Sequence, residues 1–142
     1  MFITVKLHNH MIQALVDTGS EVTMISQDLV SELGLPINKY TGRKIHGVNR
    51  KPVKIIGETP LEIVVFDKQC EKKIRVIGVI IENFHLNLLL VYDFHHIARS
   101  IIDIYNNNIM FESEDKVLGN TETNFKTVKP ALTETLLIKC IP

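Results

Sequence analysis

The sequence predicts a mainly β domain with two short helices. Short apolar runs recur at close spacing and are separated by clusters of Gly, Pro, Asn and Asp, the pattern of strands joined by turns. Isoleucine, valine and leucine supply most of a hydrophobic content of 45%, and β-branched side chains suit a pleated, half-buried surface. Only two segments carry a helical pattern, so helices cannot form the main layer.

Residues 2–7 and 11–16 are strand-like, and Asn9-His10 between them predicts a tight turn and hence a hairpin. The turn-prone cluster Asp17-Thr18-Gly19-Ser20 follows, then the mostly apolar stretch 22–25. Ser26 is a good helix N-cap. Residues 27–33 place Leu29, Val30 and Leu33 on one face, and Gly34 and Pro36 stop the helix. Residues 42–56 read as a long exposed hairpin centred on Gly47-Val48-Asn49. Strands are predicted over 61–66 and 73–81, with a turn at Asp67-Lys68. Residues 86–91 read as a strand whose unbroken part, 88–91, suits burial on both faces. A second short helix is predicted over 93–100. Residues 101–105 and 109–111 then flank an Asn106-Asn107-Asn108 turn. From Glu112 to Lys129 polar residues dominate, with a turn at Leu118-Gly119-Asn120, and Leu136-Leu137-Ile138 is a last strand-like run. A length of 142 residues therefore divides into a compact domain over 1–112 and a tail or linker over 113–142, which has room for a short interface strand.

Sixteen basic side chains balance sixteen acidic ones, and no basic block stands out. Long-range attraction to nucleic acid or to an anionic membrane is not implied. Two distant cysteines, Cys70 and Cys140, form neither a disulfide framework nor a CxxC motif, which suits a reducing compartment. The first residues lack a basic-then-apolar signal pattern, and no apolar run approaches the ~20 residues of a bilayer span. An intracellular, soluble protein is expected.

The chemistry concentrates at Asp17. An acidic residue directly follows an apolar strand and opens a Gly-containing loop. Burial of the strand would pin the carboxylate, Gly19 would let the backbone fold tightly beneath it, and the Thr18 hydroxyl could tie the loop down. A carboxylate held at a rigid, partly dry site is a candidate acid or base.

These residues resemble the retropepsins, the aspartic proteases of retroviruses and long-terminal-repeat retrotransposons. The resemblance covers about residues 2–111. Asp17-Thr18-Gly19 follows a hairpin, the 27–33 helix ends in Leu33-Gly34-Leu35, and residues 42–51 around His46, Gly47, Val48 and Asn49 look like a flap. Leu89-Leu90-Val91-Tyr92-Asp93-Phe94 looks like the second motif of the family, and Ile101-Ile102-Asp103 and Ile109-Met110-Phe111 like its closing strands. The layout is similar to the Ty3/gypsy type, and the tail to a segment linking such proteases to a reverse transcriptase.

The resemblance implies a closed β-barrel of the acid-protease type forming one half of a homodimer. Each chain supplies one Asp17, because two carboxylates sharing a proton are needed and only one Asp-Thr-Gly is present. It implies water-mediated hydrolysis of an extended peptide or polyprotein, without metal or cofactor, in the cytoplasm or in virus-like particles. Thr18 would bond across the dimer and Gly19 would allow close approach of substrate. A Ser20 hydroxyl beside the carboxylate would favour its ionised form, predicting a more acidic optimum than in a Ser20→Ala variant. Val48 and Leu90 are candidate subsite walls.

The sequence departs from the family at Val91, where Gly is usual. Either the larger side chain is accommodated locally or it marks impaired catalysis, so the alternative is a catalytically impaired dimerisation or peptide-binding module. Asp93 is expected to cap its helix, and Asp103 to be structural. The histidines of His8-Asn9-His10, His46, His85 and His95-His96 have no spacing that makes a metal site.

Overall fold

The computed structural model describes residues 1–42, 53–66 and 71–112, together with the backbone of two further strands at 125–128 and 138–141. The expected turns at Asp67-Lys68 and Leu118-Gly119-Asn120, the tip of the expected 42–56 hairpin, and Cys70 lie outside the described residues.

Strands β1 (Phe2–Leu7) and β2 (His10–Val16) form the expected hairpin, with Leu7 opposite His10. The turn is His8-Asn9, one residue earlier than expected. Both residues take positive φ, 44° and 69°, and the two-residue hairpin turn needs that at both positions to match the strand twist. Ile3, Val5 and Leu7 alternate into the core.

Strand β3 (Met24–Ser26) leads directly into α1 (Gln27–Leu33). Ser26 Oγ accepts the Leu29 N–H at 3.1 Å, and Gly34 closes the helix at φ 66°, a conformation costly for any residue with a Cβ.

Strand β4 (Ile55–Phe66) pairs along its length with β5 (Glu71–Ile81). It begins at Ile55 rather than at residue 61, because a register shift between Ile55 and Gly57 and the presence of Pro60 break the alternation. Pro60 is tolerated because β1 meets β4 only at Ile63 and Val64, leaving the second edge of β4 without a ladder at Pro60.

Strand β6 (Leu88–Leu90) is buried on both faces, as its unbroken apolar run predicts. Helix α2 (Tyr92–Ala98) starts one residue before the expected position and ends earlier, because Arg99 turns left-handed at φ 53° and Ser100 already belongs to the next strand. Strands β7 (Ser100–Asp103) and β8 (Asn108–Glu112) form a hairpin. Asp103 has the structural role expected of it. Its carboxylate accepts the Asn106 N–H at 3.1 Å and the Asn106 side-chain amide at 2.7 Å, and these bonds hold its pKa below the usual carboxylate range.

The first six strands close a barrel in the order β1-β2-β6-β3-β5-β4. The second sheet runs β7, β8, β9 (Phe125–Val128) and β10 (Ile138–Ile141). Strand β9 was not foreseen in its polar surroundings. Four residues are too few for a periodic signal, and backbone pairing to β8 sets its register.

Ile3, Ile25, Leu90, Phe94 and Phe111 belong to one core cluster, with the Phe94 and Phe111 rings edge to face at 6.0 Å. Lys72 on β5 is buried, and its ammonium donates to the Ala98 carbonyl at 2.9 Å and the Glu112 carbonyl at 2.8 Å. It thereby ties the end of α2 and the end of β8 to the barrel. Lys72→Met, which keeps the stem but removes three donors, is expected to destabilise the fold by about 2–3 kcal/mol in chemical denaturation, since carbonyls lose a charged partner inside the protein. A change under about 0.5 kcal/mol, the range of surface substitutions, would show that the anchor carries no weight.

Candidate active site

Strand β6 lies between β2, to which it is parallel, and β3, to which it is antiparallel. The chain leaves β2 at Val16 and returns as β3 at Met24, so residues 17–23 cross the end of β6. The chain leaving β6 passes beneath that loop and holds it at both ends. The Asp17 N–H donates to the Leu90 carbonyl at 3.0 Å, and the Tyr92 N–H donates to the Ser20 carbonyl at 3.2 Å. At the far end Thr23 donates its N–H to both oxygens of Asp93 at 3.1 Å and its hydroxyl to one of them at 2.6 Å. A loop fixed at its start, middle and end keeps its carboxylate in place without cost at the moment of reaction.

Asp17 is half-buried. Its Oδ1 accepts the Gly19 N–H at 2.9 Å, and this is the one hydrogen bond of its carboxylate among the described residues. No hydrogen bond joins Ser20 to the Asp17 carboxylate; Ser20 meets the chain below through its backbone carbonyl. The more acidic optimum expected from that bond loses its basis. Thr18 and Gly19 are exposed. Gly19 is not in the left-handed region; a Cβ there would lie 3.4 Å from Asp17 Oδ1. Backbone angles therefore do not demand glycine here, and a Cβ would meet the carboxylate at ordinary contact distance.

Asp93 is not the helix cap it was expected to be. Val91 occupies the N-cap position of α2, and Asp93, in the first turn, accepts the Phe94 N–H at 2.7 Å while binding Thr23 across the fold. Thr23 went unnoticed in the sequence because it sits inside an apolar stretch. Its complete burial, with both donors satisfied by one carboxylate, appears only in three dimensions.

Val91 is fully buried in a second apolar cluster with Met24, Val79, Ile81 and Leu89. Its φ of −126° and ψ of −161° are extended, a conformation that suits a β-branched residue. Val91→Gly, which installs the residue that the family resemblance led us to expect, is expected to cost about 2–4 kcal/mol through the cavity it opens and the added backbone freedom. Equal denaturation midpoints for the two proteins would show that the site does not need the side chain.

Leu90 is also fully buried, but in the main core, so it cannot form a subsite wall as expected. A groove of about 640 Å³ has Ser20, Glu21, Val22, Met24, Val79 and Asp93 among its lining residues, and Asp17 is not one of them. The expected flap residues His46, Gly47, Val48 and Asn49 lie outside the described residues.

The neighbouring histidines of α2 make separate contacts. His96 stacks on Tyr92, His95 meets the edge of the Phe94 ring, and no cluster of metal-ligating side chains occurs among the described residues. His95, set aside in the sequence as a metal ligand, nevertheless reaches the site. Its Nε2 lies 3.0 Å from the Leu90 carbonyl that also receives the Asp17 N–H. No helix among the described residues is long and apolar enough to cross a membrane.

A family model described as "gag-polyprotein putative aspartyl protease" matches residues 3–83. Among solved structures, the chain is similar to the retroviral protease-like domain of Ddi1 from Leishmania major, with 15% identity and a TM-score of 0.56 over 82% of this chain and 89% of that one. It is similar to the EIAV protease complexed with the inhibitor HBY-793, with 22% identity and a TM-score of 0.50 over 68% and 85%. A retropepsin-like aspartic protease from Rickettsia conorii matches with 17% identity and a TM-score of 0.50 over 72% and 75%. The comparison with curated proteins gives no match.

Proposed function

The chain belongs to the gag-polyprotein aspartyl protease family, and on that premise we propose that it is an aspartic endopeptidase acting as a homodimer, with Asp17 of each protomer in a shared site. The observation that carries this reading is the state of the Asp17 carboxylate. It stands at the surface end of a loop braced from below, with one internal hydrogen bond, while the oxygens of the neighbouring Asp93 are engaged by Thr23 and Phe94. Asp93 is committed to holding the fold, which supports a second copy of the chain as the source of the second carboxylate. The exposure of Thr18 and Gly19 beside Asp17 suits an approach of that copy along a two-fold axis.

In the dimer the two carboxylates share one proton, because like charges so close cannot both ionise. The ionised Asp17 takes a proton from a water as that water attacks the scissile carbonyl carbon. The protonated Asp17 donates to the carbonyl oxygen. Collapse of the tetrahedral gem-diol breaks the C–N bond: the carboxyl group that took the water proton delivers it to the leaving nitrogen, and the carboxylate that had protonated the carbonyl oxygen takes a hydroxyl proton back, which restores the starting pair. The peptide is proposed to lie extended along the groove whose lining includes Ser20 and Glu21, the residues that follow the Asp17-Thr18-Gly19 turn. The natural substrate is proposed to be a retroelement polyprotein, with residues 1–112 as the protease unit and 113–142 linking it onward.

The test is hydrolysis of peptides by the full chain across mildly acidic to neutral pH, with pepstatin as inhibitor, alongside sedimentation. Pepstatin-sensitive cleavage by a dimer is expected. Cleavage by a species that stays monomeric at high concentration, or no cleavage at any pH, would overturn the reading.

A further inference from the structure

We propose that His95 is a positioning residue that holds the Asp17 loop through the Leu90 carbonyl and, by gaining a proton in acid, keeps the Asp17 pair from losing its charge. The proposal rests on Asp17 being the reacting carboxylate.

The Leu90 carbonyl oxygen receives two donors, the Asp17 N–H and His95 Nε2, each at 3.0 Å. A ring nitrogen facing a carbonyl must carry the proton, so His95 is protonated at Nε2. Its Nδ1 then accepts from Ser100 Oγ, 3.0 Å away at the start of β7. Both nitrogens of the neutral ring are satisfied, and one imidazole joins β6, β7 and α2 directly below the loop. The edge of the Phe94 ring, at a centroid distance of 5.3 Å, closes another side.

The acidic groups acting on His95 are Asp93 from its own helix and, more weakly, Asp17 from the loop, while β6 and β7 present the uncharged Leu90 carbonyl and Ser100 hydroxyl. Burial is the largest influence and lowers the His95 pKa below 6.5; the Leu90 and Asp17 backbone and the two carboxylates oppose it. The ring is therefore neutral at pH 7 and gains its charge only at acidic pH. Protonation requires the Ser100 hydroxyl to change from donor to acceptor, and Nε2–H keeps its bond to Leu90. The new cation attracts the Asp17 carboxylate, and by reciprocity whatever the carboxylate does for the cation the cation does for the carboxylate. The pair then resists complete protonation, which would remove the general base.

Two variants separate holding from charge. His95→Leu removes both roles. His95→Gln keeps a side-chain N–H able to reach Leu90 but cannot titrate. His95→Leu is expected to lower kcat, and His95→Gln to restore it toward the wild-type value. In His95→Gln the acid limb of kcat/KM is expected to move to higher pH by at least about 0.3 unit, a twofold rate change at fixed pH. A limb that superimposes on the wild type would overturn the charge role, and a kcat of His95→Leu equal to wild type would overturn the holding role. An independent arm needs no activity: the His95 titration, followed by NMR in the full chain and assigned by its loss in His95→Gln, is expected at lower pH in Asp17→Asn than in wild type. An unchanged midpoint would refute the coupling. Absence of cleavage by the wild type would refute the protease reading alone, and the NMR comparison would still decide the coupling.

Discussion

Asp17→Asn is expected to lower kcat for peptide hydrolysis by about 10³-fold while leaving the fold intact, because it removes a proton acceptor that general acid–base chemistry requires. The substitution is nearly isosteric. An Asn side-chain oxygen can still accept the Gly19 N–H, the one hydrogen bond that the carboxylate makes among the described residues. Denaturation midpoints of the two proteins should therefore agree closely, and circular dichroism with steady-state kinetics on one preparation checks both halves of the statement. The variant also tests the sharing of the site. Mixed in equal amounts with wild type and allowed to exchange, random pairing leaves only about a quarter of dimers with two intact Asp17 residues. Activity per wild-type chain should then fall to about half. Activity that simply adds, with no loss per wild-type chain, would mean that each chain carries a complete site.

Asp93→Ala is expected to destabilise the protein by about 2–4 kcal/mol and to lower kcat at least about tenfold. The carboxylate accepts from the Thr23 N–H, the Thr23 hydroxyl and the Phe94 N–H. Thr23 is fully buried, so its donors cannot turn to water when the acceptor is lost. The cost should thus exceed that of an exposed hydrogen bond. The loss reaches catalysis because this contact is the far anchor of the loop that begins at Asp17. Asp93→Asn should fall between the two proteins, since its oxygen can take one donor while its amide opposes another. Urea titration and peptide kinetics read the two effects. A destabilisation below about 0.5 kcal/mol, with kcat preserved, would mean that the loop holds without this anchor.

The elements most legible in the sequence are those with local causes. Helix α1 lies where expected because Ser26 caps it and Gly34 ends it, both within the segment itself. The β1–β2 hairpin was legible for the same reason, and its turn moved by one residue because His8 accepts positive φ, which side-chain chemistry alone did not suggest. The first half of β4 was hidden by Pro60, whose fit depends on where β1 stops pairing. Helix α2 was predicted too long, because Arg99 reverses the backbone just as Lys72, from a distant strand, binds the Ala98 carbonyl.

The candidate site divides in the same way. Asp17, its place after an apolar strand and the Gly beside it could be read from neighbouring residues, and together with the order of later motifs they point to the family. Which groups brace Asp17 could not be read. Thr23 and Asp93 are 70 residues apart, and the Leu90 carbonyl serves Asp17 only because β6 inserts between β2 and β3. Ser20, the neighbour in sequence, makes no bond to the carboxylate, whereas His95, far along the chain, binds the same carbonyl as the Asp17 backbone. By itself the sequence determined which carboxylate is available and what chemistry it suits, since strand burial and turn formation act over a few residues. The tertiary structure decided what holds that carboxylate and what charge can reach it, since buried donors and acceptors are matched by the crossing of strands rather than by their spacing in the chain.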